Sequence, residues 1–163
     1  MSTARGGNAG ISSKGTNIGK DKIIQEITIK APAARIFEAL TSPRELVEWW
    51  GVDGKFQVTE MESDLRPGGK WRIYLTTADG TKLTVAGEYR EVDPPWLITF
   101  TWNREQEHSP ETLVRWDLEE KNGMTTARVT HSGFASEAQR ARHSGWPLIL
   151  ELLKGYVEGR AKG

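Results

Sequence analysis

Between Lys70 and Thr77 apolar and polar residues alternate, with Trp71, Ile73 and Leu75 on one face and Arg72 and Tyr74 on the other. A period of two is the pattern of a strand with one buried face. The same reading predicts strands over Phe56–Glu60, Lys70–Thr77, Leu83–Val92, Leu97–Trp102, Glu111–Glu119 and Thr125–His131. Ile98, Phe100 and Trp102 share a face, as do Val114, Trp116 and Leu118, and again Ala127, Val129 and His131. Turn chemistry falls between these runs. Arg66-Pro67-Gly68-Gly69 reads as a turn, and Asp79-Gly80 and Asn122-Gly123 are strong hairpin signals. The polar stretch Asn103–Pro110 reads as a loop, and Asp93-Pro94-Pro95 stops the strand before it.

The periodicity changes on both sides of this block. Ile23, Ile27 and Ile29 form one more strand-like run, stopped by Pro32. Ala33, Ile36, Phe37 and Leu40 then recur at helical spacing, with Pro32 placed at the first helical position. Ser42-Pro43 breaks the chain and starts a second short helix, whose apolar face holds Leu46, Trp49 and Trp50 and which Gly51 ends. Near the C-terminus Ser136–His143 is a polar helical turn, and a long helix is predicted from about Ser144. In it Trp146, Leu148, Ile149, Leu150, Leu152, Leu153, Tyr156 and Val157 would cover an arc of about 200°, against about 100° for an ordinary surface helix. Such a helix needs cover on more than one side. The prediction is an α+β domain: two short helices after the first strand, and a curved antiparallel sheet of about six to seven strands around a long C-terminal helix.

Composition narrows the functions this fold can carry. A chain of 163 residues is one domain by length. Residues 1–20 are Gly- and Ser-rich and read as a disordered tail, leaving 21–163 as the single folded domain. Lys+Arg and Asp+Glu both number 22, so no electrostatic footprint for nucleic acid appears. The absence of Cys excludes disulfides and thiolate metal ligands, and fits a cytoplasmic protein. No stretch approaches the roughly 20 apolar residues that span a bilayer, and the N-terminus has no apolar core of a secretory signal.

Candidate chemistry is sparse. No nucleophile-elbow, zinc-protease or phosphate-loop motif occurs, and Gly68-Gly69 serves a turn. His108 and His143 lie in a loop and at a helix end, so no pair of histidines has metal-ligand spacing and no cofactor or metal is expected. Glu88, Arg90, Arg115 and Asp117 fall on the outward strand faces, where solvated cross-strand pairs contribute little. His131 alone could orient a ligand or move a proton near neutral pH, and the plainer reading is a histidine satisfied by nearby backbone. No catalytic residue is assigned. The strongest lead is the seven Trp, which build either a packed core or a cavity with aromatic walls.

Five blocks then carry a resemblance: IKAPAARIFEALTSPRELVEWWG (29–51), RPGGKWRI (66–73), GEYREVDPPWLITFTW (87–102), THSGF (130–134) and GWPLILELLKGYVE (145–158). In this order over residues 22–158 the chain resembles the activator of heat-shock protein 90 ATPase homologue family, within the START-like (SRPBCC, helix-grip) superfamily. The resemblance implies the helix-grip fold with an elongated cavity between sheet and C-terminal helix. It also marks His131 as the family's histidine in the Thr-His-Ser-Gly turn. The eukaryotic co-chaperone carries a separate N-terminal domain before this one, and a polar tail is expected in its place here. Three functions follow in order: binding of a small, largely apolar molecule in the cavity; a chaperone-activator-like interaction module; and a cyclase- or hydrolase-type enzyme. For the first, the expected wall is Trp71, Ile73, Trp102, Trp116, His131, Trp146 and Leu150.

Overall fold

A computed structural model describes residues 22–105 and 110–159. The chain runs β1 (Lys22–Ile29), α1 (Ala33–Thr41), α2 (Pro43–Trp49), β2 (Gly51–Val52), β3 (Phe56–Ser63), β4 (Lys70–Thr77), β5 (Lys82–Asp93) and β6 (Leu97–Arg104). It continues with β7 (Thr112–Lys121), β8 (Met124–Ser132), α3 (Glu137–Ala141) and α4 (Trp146–Gly159). The strands form one eight-stranded antiparallel sheet in the order β1-β8-β7-β6-β5-β4-β3-β2, so only β1 and β8 join elements distant in sequence. The expected six to seven strands become eight because the chain after α2 makes the two-residue β2 against β3. The expected tail (residues 1–20) and His108 lie outside the described residues.

Local chemistry explains the corners. Asn122 and Gly123 both have positive φ, at 57° and 78°, as the two-residue turn between β7 and β8 requires, and Lys121 pairs directly with Met124. The N-terminus of α1 has no side-chain cap from its own Pro32. The Glu120 carboxylate of β7 accepts from the Ala33 N–H at 2.9 Å instead, and a carboxylate at this end also suits the helix dipole. Ser42 caps α2 by accepting from the Glu45 N–H at 3.4 Å.

Gly87 is fixed by its surroundings. It pairs with Trp71 across β4 and β5, and a Cβ there would meet the Thr101 carbonyl oxygen and the Trp71 Nε1. Next to it the Glu88 N–H turns to the Thr101 side-chain oxygen at 2.8 Å. The Trp71 ring therefore lies over a backbone that only glycine allows this close. Gly87→Ala is expected to destabilise by about 2–3 kcal/mol through forced separation of β5 and β6. A urea midpoint equal to that of the unmodified protein would refute the close approach.

The helices sit unevenly on the sheet. α4 packs along β1 and touches α1 and α2, while α2 covers β3. The buried stripe of α4 is Trp146, Ile149, Leu150, Leu153 and Val157, narrower than the predicted arc. Leu148 is 44 % exposed and Leu152 and Tyr156 are only partly buried, because α4 lies against one side of the curl rather than being wrapped all round. One carboxylate joins the three helices: Glu45, only 4 % exposed, accepts from Arg35 Nη1 at 2.8 Å and from the Tyr156 hydroxyl at 2.9 Å. Desolvation alone would push the Glu45 carboxyl up, but these hydrogen bonds outweigh it and hold the group below the usual carboxylate range.

Candidate functional site

The off-centre seat of α4 leaves the inner face of β4 and β5 without a helix over it. Ile73 pairs with Val85 and Leu75 with Leu83 across these strands, and Val85 pairs with Arg104 of β6. Above this face lies a pocket of about 440 Å³, closed on its other sides by Trp50, Phe56, Trp102 and the start of α4. Ile73, Val85, Trp102, His131, Trp146 and Ile149 make its buried floor. Lys55, Arg142, Gly145 and Leu148 line it from exposed positions and so mark the mouth.

The floor is an aromatic cluster built from four elements. Trp50, just past α2, stacks on Trp102 with centroids 6.2 Å apart and meets Trp146 edge-on at 6.1 Å. Trp102 lies 5.6 Å from Trp71, and Trp116 lies 5.8 Å from Trp146. The indole N–H groups of Trp71 and Trp102 are buried, and neither has a hydrogen-bond partner among the described residues. Trp49, by contrast, donates to the Ala39 carbonyl at 2.9 Å and belongs to the core.

His131 is fully buried and both of its ring nitrogens are engaged. Trp146 Nε1 donates to Nδ1 at 3.0 Å, so Nδ1 carries no proton. Nε2 therefore holds the proton and donates to the Thr112 hydroxyl at 2.7 Å, and the Thr112 hydroxyl in turn donates a hydrogen bond to the Trp102 carbonyl at 3.3 Å. The relay Trp146–His131–Thr112–Trp102 fixes the tautomer and links α4, β8, β7 and β6. Burial, then the nearby His143 ring and the Arg104 charge, lower the His131 pKa to about 3, so the ring is neutral at physiological pH. A neutral ring with both nitrogens committed has no polar atom to offer a ligand. The partners of His131 are side chains rather than the local backbone.

The seven residues expected at a cavity wall separate into three groups. Ile73, Trp102, His131 and Trp146 line the pocket. Trp71 and Trp116 line a second space of about 30 Å³ behind it, which Trp50, Ile73 and Trp102 border from both sides. Leu150 lines neither, because its position on α4 points into the packed core. Sequence reasoning missed Trp50, Phe56, Leu75, Leu83 and Leu148. Trp50 follows a helix end and helical phase puts Leu148 on the covered arc, so only the seat of α4 shows both beside the pocket. His143 was also missed: its Nδ1 donates to the Gln139 carbonyl at 2.8 Å and its ring packs 5.0 Å from His131. Among the described residues no group of His, Asp or Glu has the arrangement of a metal site, and no helix is long and apolar enough to cross a membrane.

Comparison with known proteins agrees with this architecture. The solved structure of a protein from Nitrosomonas europaea superposes with a TM-score of 0.76 at 17 % identity, covering 90 % of this chain and 99 % of that one. A protein from Rhodobacter sphaeroides gives 0.76 at 20 % identity, covering 88 % and 94 % of the two chains. An AHSA1-like protein from Aeromonas hydrophila gives 0.71 at 21 % identity, covering 86 % and 94 %. At these identities the likeness is one of fold. No protein of curated function matches the sequence. The family model described as "Activator of Hsp90 ATPase homolog 1-like protein" matches residues 30–158. With most of its length matched and the helix-grip architecture in place, the chain belongs to the activator of Hsp90 ATPase homologue 1-like family.

Proposed function

We propose that this protein binds a small, largely apolar molecule, acting in the cytoplasm as a single helix-grip domain without cofactor or metal. The observation that carries the reading is the 440 Å³ pocket with its aromatic floor, a volume within the roughly 300–1,000 Å³ range of small-molecule sites. Leu75 and Leu83 remain half-buried beside it although both are large and apolar, so an occupant would remove further apolar surface from water. The proposed wall is Trp50, Phe56, Ile73, Leu83, Trp102 and Trp146, with Trp71 and Trp116 backing it. His131 holds the wall together and Leu150 packs beneath it.

Titration with apolar aromatic compounds of flavonoid or polyketide type tests this reading. Saturable change in Trp fluorescence is expected, because Trp50, Trp102 and Trp146 all border the pocket. Affinity should be of micromolar order, as for a ligand held by apolar contact without a strong charge partner. Leu83→Trp fills the pocket from a half-buried position and should weaken binding at least about tenfold, a difference of 1.4 kcal/mol. No saturable response across a broad panel, or equal affinity in the Leu83→Trp protein, sinks the carrier reading. The family description favours a second reading, docking on a chaperone, and Trp96 offers a 48 % exposed indole for it at the β5–β6 turn. Pull-down by an Hsp90-type chaperone, lost in Trp96→Ala, would support that reading.

A further inference from the structure

We infer that Trp50 is a partition that limits the length of the apolar tail this protein accepts; this rests on the carrier reading and names the residue that sets its selectivity. Two spaces lie against the inner face of the sheet, the front pocket of about 440 Å³ and the rear one of about 30 Å³. The residues that line both are Trp50, Ile73 and Trp102. Ile73 and Trp102 belong to β4 and β6, each paired on both edges, so they form the surface over which the two spaces lie. Trp50 comes from the opposite side, one residue past the end of α2. Its ring stacks on Trp102 with centroids 6.2 Å apart, and so closes the gap between helix and sheet.

The position of this partition follows from where the helices stop. Leu40 of α1 and Leu46 of α2 line the rear space, whereas no residue of either helix lines the front pocket. The Trp50 main chain is held on both sides: its N–H donates to the Leu46 carbonyl at 3.0 Å, and its carbonyl accepts from the Val58 N–H at 3.1 Å. Around the ring, Trp49 lies 5.3 Å away and Trp146 meets it edge-on at 6.1 Å. A side chain wedged among three indoles on a pinned backbone acts as a wall rather than a flap. With the ring in place the rear space has room for about two water molecules, too little for a hydrocarbon chain. Without it, Leu40, Leu46, Met61 and Ile98 would extend the apolar lining of the front pocket.

Alkyl maltosides with hexyl, octyl, decyl, dodecyl and tetradecyl tails share one neutral head and vary only the tail. Each is titrated below its micelle concentration and followed by Trp fluorescence. In the original protein affinity should rise by up to about fourfold per buried methylene and level off once the tail meets Trp50. In Trp50→Ala the rise should continue to longer tails, so that the ratio of tetradecyl to octyl affinity increases at least about tenfold. Trp50→Phe makes the same comparison with less loss of packing, and its ratio should fall between the two. Leu148→Ala trims the mouth instead and should leave the levelling length where it is. A steady rise without levelling in the original protein, or a ratio unchanged in both Trp50 variants, overturns the partition and leaves the carrier reading standing. So does a shift in Leu148→Ala equal to that in Trp50→Ala, or binding of the aromatic panel when no maltoside binds. Failure of the maltosides and the aromatic panel alike removes both the carrier reading and this inference.

Discussion

Leu150→Asp is expected to abolish cooperative folding, whereas Glu151→Ala, one residue along, should leave stability within about 0.5 kcal/mol of the starting protein. Leu150 is 2 % exposed on the stripe by which α4 meets the core, while Glu151 is exposed. Removing a buried leucine costs about 2–5 kcal/mol. An aspartate in its place must also lose its hydration or keep a proton at neutral pH, a further penalty of several kcal/mol. The total approaches the roughly 5–15 kcal/mol that holds a domain of this size together. Chemical unfolding followed by far-ultraviolet circular dichroism reads both variants. Similar curves for the two would mean that the phase of α4 is wrong.

His131→Phe is the second large effect, and it follows from tertiary geometry. Phenylalanine keeps an aromatic ring but leaves Trp146 Nε1 without its acceptor and Thr112 without its donor, both in the buried interior. At about 1–3 kcal/mol for each of the two stranded groups, the expected loss is roughly 2–6 kcal/mol. The position also gives the fold an acid limit. The folded His131 pKa is depressed to about 3 from an ordinary 6.5, so the unfolded chain takes up this proton first as pH falls. The stabilisation by neutral His131 is thus fully present above about pH 6.5 and is lost progressively on the way to about pH 3. Between pH 7 and pH 4 this one group should remove about 3 kcal/mol of unfolding free energy. Glu45, whose pKa is lowered, adds a loss in the same direction but only in the carboxylate range. Comparing the pH slopes of the original protein and His131→Gln between pH 5 and 7, above that range, isolates the histidine. Equal slopes in that window would show that His131 is not the group that titrates.

These two positions show how differently the chain declares its features. Helical phase alone puts Leu150 in the interior, and the structure buries it there. His131 could be assigned to a buried strand face from its alternation with Val129 and Ala127, and the structure keeps it on that face. Its chemistry could not be read, because Thr112 and Trp146 come from other elements, and only packing brings them within 3.0 Å.

The chain carries the order and kind of nearly every element in local form, since alternation, helical spacing and the Asp79-Gly80 and Asn122-Gly123 turns are signals that each segment holds whole. It determined which face of β4, β6, β7 and β8 turns inward, because a one-residue slip would expose Trp71, Ile98, Trp116 or Val129. Tertiary structure alone decided where α4 lies across that inner face. Its seat along β1 leaves Leu75 and Leu83 facing an open pocket, buries Leu150 away from it and places Leu148 at the mouth. Apolar periodicity states that a side chain is turned from water. It does not state whether the space in front of it is filled by protein, and that depends on contacts between residues far apart in the chain.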